Sequence, residues 1–154
     1  MWACSKGMKS DCTLTKEQNR KERKYDMEKI CFKTAKGPAA VGPYSTATIY
    51  GDTIYLSGMI GIDPAVQKPV ESDTPAQAKQ AFANIETVLG ELGATMDDVL
   101  KTTVYLTDIG EFAAVNQLYA EAFAPNFPAR TCVEVSKLPM GLSIEVECIA
   151  RVLK

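Results

Sequence analysis

The chain has 154 residues, of which 46% are apolar, and it carries 17 Lys and Arg against 19 Asp and Glu. A domain of this size buries about two-thirds of its unfolded surface, which excludes a wholly disordered protein. No apolar run approaches the ~18 residues that span a bilayer, and no secretory leader pattern is present. We therefore expect one soluble domain in the cytoplasm, with mitochondria as the alternative location.

Residue types that are rare or absent narrow the chemistry. The chain contains no histidine, which removes the usual metal ligand and the usual general base at neutral pH. Its five cysteines are odd in number and form no Cys-x-x-Cys pair, which argues against a disulfide framework and a zinc site. We expect no metal and no other cofactor, so catalysis must use carboxylates, Arg, Lys, Tyr, Cys or bound water.

Charge divides the chain into two parts. Residues 1–26 hold seven Lys and Arg against four Asp and Glu, which leaves 10 against 15 for residues 27–154. We interpret residues 1–26 as a polar, basic and mobile extension, and residues 27–154 as a single domain. The acidic balance of that domain disfavours nucleic acid as a partner, because a phosphate backbone would be repelled.

The first part of the domain predicts strands. A strand pattern begins at Ile30, and β-branched and aromatic residues over 46–50 and 53–57 flank Gly51-Asp52, a good two-residue hairpin turn. A loop is expected over residues 58–73.

Two helices are predicted further along. Thr74 can cap the first, Pro75 suits its first turn, Gln77 completes a capping box, and Gly93 ends it. Its apolar face comprises Ala78, Phe82, Ile85, Leu89 and Leu92. After a strand over 99–106, a second helix is expected over 111–123, with the apolar residues Phe112, Val115, Tyr119 and Ala122.

Two strands end the domain, which gives an α+β order of β-β-β-α-β-α-β-β. Pro128 favours an extended chain, so Arg130 should stand at the mouth of a strand that adjoins the strand of Glu145 and Glu147. Two helices cover only one face of a sheet, so the other face needs solvent or a partner. We expect oligomerisation, with Glu145, Glu147 and Arg151 on the face opposite the core.

The strongest chemical candidates are Arg130 and Glu145. A guanidinium binds a carboxylate through two parallel hydrogen bonds, although a surface ion pair is the commoner explanation of an arginine taken alone. Glu145 could orient or deprotonate a water if burial raised its pKa. Glu147 shares its face, and spacing alone does not decide between the two acids.

Four further polar positions lie beside tight backbone or near Arg130. Cys132 could share a side of the strand with Arg130, but without a histidine partner it is interpreted as a small buried side chain. Tyr44 and the Ser57-Gly58 pair could line a site or simply form turns, and Asn116 could be a helix-packing amide.

Taken together, these segments resemble the reactive intermediate deaminase A family, also called the YjgF/UK114 family, over residues 28–154. The resemblance is carried by residues 128–135, Pro-Ala-Arg-Thr-Cys-Val-Glu-Val, together with Ile144-Glu145-Val146-Glu147. Three shorter motifs support it: Gly42-Pro43-Tyr44-Ser45, Leu56-Ser57-Gly58 and Phe112-Ala113-Ala114-Val115-Asn116.

The resemblance implies a chorismate-mutase-like α+β fold and a homotrimer with sites between subunits. It implies hydrolysis of 2-aminoacrylate/2-iminopropanoate and 2-iminobutanoate to 2-oxo acids and ammonia, without a cofactor. By the same resemblance, Arg130 holds the substrate carboxylate and Glu145 positions or activates water. The backbone at Gly58 and Cys132 orients substrate and water, and the cleft is lined by Tyr44, Ser57 and Asn116.

The chain departs from the family pattern at three places. Thr46 and Met59 stand where many relatives have glutamine, and Gln67-Lys68 replaces a common Thr-Gly turn, so we expect an altered loop and cleft rim. Two other functions stay open. One is an endoribonuclease or translation inhibitor, and the other is a non-enzymatic small-carboxylate sensor or chaperone-like module that uses the same cleft.

Overall fold

The structure is a computed structural model that describes residues 28–70 and 73–152. The predicted extension over residues 1–26 lies outside the described residues. Eight strands lie within these described ranges: β1 (Ile30–Phe32), β2 (Ala47–Tyr50), β3 (Thr53–Ile60), β4 (Ile62–Asp63), β5 (Lys68–Pro69), β6 (Val99–Leu106), β7 (Ala129–Glu134) and β8 (Ile144–Arg151). The same ranges contain two α-helices, α1 (Thr74–Glu91) and α2 (Phe112–Phe123).

Six strands form one mixed sheet in the order β1-β2-β3-β8-β6-β7. Neighbouring strands are antiparallel except β6 and β7, which run parallel. The parallel pair is joined by α2, as a crossover between parallel strands requires. The predicted α+β class with two helices is therefore confirmed.

The hairpin of β2 and β3 forms around Gly51, whose φ of 65° suits a tight turn. The prediction that β3 ends at residue 57 and that a loop fills residues 58–73 was wrong. Strand β3 continues to Ile60, and β4 pairs with β5 as a small second hairpin. The two-residue strands are too short for periodicity to reveal them.

Helix α1 begins at Thr74 and has Pro75 in its first turn, as predicted, but its cap differs. The N-cap is Asp73, whose extended backbone lets its side chain accept a hydrogen bond from the Ala76 N–H at 2.9 Å. Thr74 is already helical and buried, so the predicted capping box of Thr74 and Gln77 was wrong. The Gln77 side chain instead accepts hydrogen bonds from the backbone and the hydroxyl of Ser143.

The core lies between the helices and one face of the sheet. The predicted apolar residues of α1 pack there, with Leu92 partly buried at the edge. The prediction for α2 was right for Val115 and Tyr119, whereas Phe112 is 37% exposed and Phe123 is buried in the core. Removing a buried side chain such as Ile85, which is fully buried, would cost about 2 to 5 kcal/mol of stability.

The opposite face of the sheet is covered by no helix of the described ranges, and we call it the outer face. Strand β8 alternates as predicted: Glu145, Glu147 and Arg151 point to the outer face. Tyr55 on β3 is 47% exposed there. Within residues 28–70 and 73–152, no helix has the length and apolar character that crossing a bilayer requires.

The predicted adjacency of Arg130 with the two glutamates was wrong. Strand β6 lies between β7 and β8 in the sheet. Arg130 pairs with Thr102 of β6, and Glu145 pairs with Tyr105 of the same strand. The error arises because β7 and β8 follow each other in sequence, yet β7 is an edge strand that joins the sheet through a parallel crossover.

Candidate active site

A cavity of about 600 Å³ opens beside β3 and β8. It contains four of the predicted site residues, and we call their set the acidic half-site: Tyr44, Ser57, Gly58 and Glu145. Apolar side chains form much of the remaining wall, including Ile60, Ile62, Val41, Pro139 and Met140. A mostly apolar wall with a few convergent polar groups is typical of small-molecule sites.

Gly58 makes room for the carboxylate of Glu145. The pairing of β3 with β8 shifts between Leu56 and Met59, which marks a bulge at Gly58. A Cβ atom at Gly58 would lie 1.8 Å from Oε1 of Glu145 and 2.7 Å from its Cδ. Glycine is therefore required here by space, because any larger side chain would displace the carboxylate.

The carboxyl group of Glu145 has a raised pKa. Burial raises its pKa above the ordinary value, and the negative charge of Glu147 raises it further. Glu147 also lines the cavity and accepts a hydrogen bond of 3.2 Å from the hydroxyl of Tyr105. Glu147 is thus a neighbour that acts on Glu145, and Tyr105 fixes its position.

Ser57 and Tyr44 are placed by the backbone around them. The Ser57 hydroxyl donates to the carbonyl of Ser45 at 2.8 Å, and the Ser57 N–H donates to the carbonyl of Thr46 at 3.0 Å. The Tyr44 hydroxyl accepts from the N–H of Val41 at 3.4 Å, and the ring is 47% exposed. Both side chains therefore stand at the cavity wall, where Ser57 is held by two hydrogen bonds and the Tyr44 hydroxyl by one long one.

The other predicted residues form a second cluster, the basic half-site, on the helix-covered side of β7. The Arg130 guanidinium donates to the Asn116 side-chain carbonyl at 2.6 Å. Its carbon lies 4.5 Å from the ring centroid of Tyr119 and 5.4 Å from that of Phe112. Stacking and one hydrogen bond hold the planar fork of an exposed arginine, which leaves further N–H donors able to bind an anion.

A shallow opening surrounds that guanidinium and is lined by Asn116, Tyr119, Ala120, Phe127, Pro128 and Arg130. Cys132 lies two residues further along β7, on the same side of the strand, as expected. It is half-buried against the core, and burial raises the pKa of its thiol although the charge of Arg130 opposes this. The side chain is thus not activated as a thiolate nucleophile.

The two half-sites lie on opposite faces of the sheet. Arg130 shares the face of its partner Thr102, which is buried beneath α2 and hydrogen-bonded to Tyr119. Glu145 shares the outer face with its partner Tyr105. Side chains alternate between faces along a strand, so Arg130 and Glu145 of one chain cannot reach a common ligand.

Within the described ranges, no group of three or more His, Cys, Asp or Glu side chains is arranged to hold a metal ion.

Comparison with known proteins places the chain in a family. The family model described as Endoribonuclease L-PSP matches residues 34–152. The chain belongs to the YjgF/RutC family. It is 45% identical over 117 residues to human 2-iminobutanoate/2-iminopropanoate deaminase, and the matched region covers 76% of this chain and 85% of that protein. It is 44% identical over 124 residues to a RutC family protein of Pyrococcus abyssi, covering 80% of this chain and 98% of that one.

Solved structures agree with the assignment to the YjgF/RutC family. The crystal structure of RidA from a Psychrobacter species matches with a TM-score of 0.77 and 39% identity, covering 80% of this chain and 99% of that chain. The YjgF gene product of E. coli matches with a TM-score of 0.75 and 38% identity, covering 79% and 98%. The α+β fold is therefore that of the YjgF/RutC family.

Sequence reasoning missed several cavity residues. Val41 and Met140 are exposed apolar side chains at the rim, and Met140 has a φ of 59°, rare for a residue with a side chain. The Pro139-Met140-Gly141 sequence was the available signal for such a turn. The three departures from the family pattern, at Thr46, Met59 and Gln67, all line the cavity.

Proposed function

We propose that this YjgF/RutC protein hydrolyses 2-imino acids and their enamine tautomers to 2-oxo acids and ammonia. The substrates are 2-aminoacrylate/2-iminopropanoate and 2-iminobutanoate. The observation that carries the proposal is the Arg130 guanidinium, which is oriented by Asn116, Tyr119 and Phe112 yet exposed to a ligand. A fixed planar fork of this kind suits bidentate binding of a 2-imino carboxylate.

The active site is proposed to form between subunits of a homotrimer. Each chain presents a basic half-site and an acidic half-site on opposite faces of its sheet, so one chain cannot complete the site. A cyclic assembly in which every interface joins Arg130 of one chain to the cavity of the next would complete a site at each interface. The outer face, which no helix of the described residues covers, supports such an assembly.

The proposed reaction adds water across the C=N bond. The enamine form first takes a proton at C3 from solvent and becomes the protonated imine. Water then attacks C2 while Glu145 accepts one of its protons, and the C=N π electrons move to nitrogen, which forms a neutral tetrahedral amino alcohol. The same carboxyl group returns that proton to the nitrogen, the C–N bond breaks with its electron pair leaving on ammonia, and the C2 hydroxyl becomes the carbonyl as its proton passes to Glu145 and then to solvent.

Glu145 is suited to both halves of this cycle. A carboxyl group whose pKa is raised by burial and by Glu147 is a stronger base when ionised and still acquires a proton readily. Arg130 would hold the substrate carboxylate while the apolar wall receives its short side chain. Alignment of carboxylate, C2 and water is the main requirement, and positioning of this kind can supply several kcal/mol of barrier lowering.

The decisive assay generates the imine in situ. A pyridoxal-phosphate dehydratase acting on serine or threonine supplies the intermediate, and 2-oxo acid formation is followed with and without the protein. We expect acceleration by the wild-type protein and little by Arg130→Ala. Equal rates with and without wild-type protein would contradict the proposal.

One further variant and one further assay separate the alternatives. A carboxylate sensor would need Arg130 but not Glu145, whereas the hydrolase needs both. If the protein is a hydrolase, Glu145→Gln should abolish hydrolysis while ligand binding persists. A single-stranded RNA cleavage assay in a salt series tests the activity in the family model's description. Cleavage that survives in Arg130→Ala but is lost on further purification would identify a contaminant.

A further inference from the structure

The wall of the cavity includes a loop that has little support of its own. Residues 38–44 connect the region after β1 to the start of β2 and contribute Pro38, Ala39, Ala40, Val41 and Tyr44 to the lining. Two of the loop's hydrogen bonds are internal, from Tyr44 N–H to Gly42 and from Val41 N–H to Tyr44. Pro38 and Ala40 are partly buried, but the rest of the loop is exposed, and Val41 is 85% exposed, so burial gives the loop little support.

One hydrogen bond joins this loop to the rest of the described chain. The N–H of Ala39 donates to Oε1 of Gln67 at 2.9 Å. Among residues 28–70 and 73–152, no other side-chain or backbone hydrogen bond links residues 38–44 to a residue outside that loop. Gln67 therefore bridges the loop and the turn between β4 and β5.

The turn that carries Gln67 is itself well anchored. The Gln67 N–H donates to the carbonyl of Asp63 at 2.8 Å, and its side-chain NH₂ donates to the carbonyl of Pro64 at 2.7 Å. The Asp63 carboxylate accepts from the N–H of Ala65 at 2.8 Å. Strand β4 leads into the turn and is anchored to helix α1, because the Asn84 side-chain amide donates to the carbonyls of Ile60 and Ile62. The turn at residues 64–67 is therefore held by several hydrogen bonds, whereas the loop over residues 38–44, which Gln67 contacts, is held by few.

The backbone of Gln67 adopts a φ of 55°, in the left-handed region that glycine and asparagine occupy most readily. A residue with a long side chain is strained in this conformation, and such strain is commonly found where the side chain has a specific role. Both polar atoms of the side-chain amide are hydrogen-bonded. The oxygen accepts from the N–H of Ala39, and the nitrogen donates to the carbonyl of Pro64. The same side chain also lines the cavity.

We propose that Gln67 is a positioning residue that fastens the loop over residues 38–44 against the turn at residues 64–67 and so sets the width of the cavity mouth. The inference rests on the proposed function, because the cavity is taken as the substrate site. Gln67 need not touch the reacting atoms. It acts through the loop, which contributes Val41 and Tyr44 to the wall of the cavity that Glu145 also lines.

Replacement by glycine or asparagine tests this without breaking the turn. Gln67→Gly and Gln67→Asn both tolerate the left-handed backbone, and neither reaches Ala39 as glutamine does. Val66→Ala is the matched control, because Val66 lies in the same turn, is 60% exposed and does not line the cavity. The melting temperature of all three variants is measured. We expect at most a small decrease in the two Gln67 variants and none in Val66→Ala.

The first readout needs no enzymatic activity. Amide hydrogen exchange of Ala39, resolved by NMR, should be at least about tenfold faster in Gln67→Gly than in wild type, because the bond that protects the amide is gone. Exchange in Val66→Ala should match wild type. Unchanged exchange of Ala39 in Gln67→Gly would overturn the proposal.

The second readout is kinetic. In the Gln67 variants, the more mobile loop at the cavity mouth should raise KM for 2-iminobutanoate by about threefold to tenfold, which corresponds to the loss of one hydrogen bond. The value of kcat should stay within about twofold of wild type. A fall in kcat with unchanged KM, or no kinetic change despite faster exchange, would overturn the positioning role. If wild type itself lacks activity while Ala39 exchange responds as expected, the proposed function fails and the loop contact stands.

Discussion

The two half-sites differ in how they are built. The acidic half-site lies in a cavity open at one side, where Glu145 is half-buried and occupies space that only glycine at position 58 leaves free. The basic half-site lies at an edge strand, where Arg130 is exposed and held from the side by Asn116 and two rings. One half-site thus depends on steric fit and the other on orientation of a charge. The two should respond differently to substitution, and neither should suffice alone.

The largest effect is expected at Gly58. In Gly58→Ala the new Cβ would overlap Glu145, which must move away, and a misplacement of about 1 Å can cost roughly 100-fold in rate. The measurement is kcat/KM in the coupled dehydratase assay. Gly90→Ala is the matched control, because nothing lies within 4 Å of a Cβ at that position.

The control should gain about 0.5 to 1 kcal/mol of stability, since alanine favours helix over glycine, with no change in rate. Wild-type activity in Gly58→Ala would show that the steric account of the acidic half-site is wrong.

The basic half-site is tested by Arg130→Lys, which keeps the charge and removes the planar fork. Loss of a bidentate, charge-assisted pair should lower kcat/KM by about 30-fold, mainly through KM. Asn116→Ala should have a smaller effect in the same direction, because the fork keeps its charge and its two aromatic neighbours. An Arg130→Lys enzyme with wild-type KM would mean that orientation of the guanidinium is unimportant.

The third prediction concerns pH. The negative charge of Glu147 helps to raise the pKa of Glu145, so Glu147→Gln should lower that pKa. Glu145 must be ionised to accept a proton from water, and the acidic limb of the kcat/KM profile should therefore shift to lower pH. Glu147→Asp retains the charge and should leave the limb closer to its wild-type position. A shift to higher pH in Glu147→Gln would contradict the assignment of Glu145 as base.

The smallest effect on activity is expected away from both half-sites. Asp98 accepts hydrogen bonds from the backbone N–H and the hydroxyl of Thr95, and it forms an ion pair of 3.5 Å with Arg151. The bond from the Thr95 backbone lowers the pKa of Asp98 against the effect of burial, with help from the Thr95 hydroxyl and Arg151. Asp98→Ala should cost about 1 to 2 kcal/mol, as the loss of a capping side chain does.

The sign of its pH dependence follows from the lowered pKa. The stabilisation by Asp98 is present above the carboxyl's unfolded-state pKa and is lost as pH falls through the folded-state pKa. Denaturant unfolding of wild type and Asp98→Ala should therefore converge at acid pH. A difference that persists unchanged into strong acid would contradict this account, as would a large loss of deaminase activity at neutral pH.

The sequence predicted the main elements because long periodic segments dominate them. The alternation along β8 and the helical spacing of Ala78, Phe82 and Ile85 both reflect one buried face. The hairpin of β4 and β5 was missed because two-residue strands carry no periodicity. The adjacency of Arg130 and Glu145 was wrong because sheet order depends on a parallel crossover, which local pattern does not encode.

The candidate site residues came from motif resemblance, and their grouping came from the structure. Nothing in the sequence indicated that Gly58 leaves space for Glu145, since that requires the register of β3 on β8 and its bulge. The link from Gln67 to Ala39 was equally hidden, because it joins residues 28 positions apart through a side chain. Tertiary register, rather than residue type, determines both relations.

The claim that the site needs two chains is tested most directly by subunit complementation. Arg130→Ala and Glu145→Gln chains, each inactive alone, are unfolded together and refolded as a 1:1 mixture, with separate tags to verify mixed oligomers. If each site joins Arg130 of one chain to Glu145 of another, random mixing should restore about one quarter of wild-type activity, because each required chain is present with a probability of about one half. Mixed oligomers that remain inactive would contradict the account.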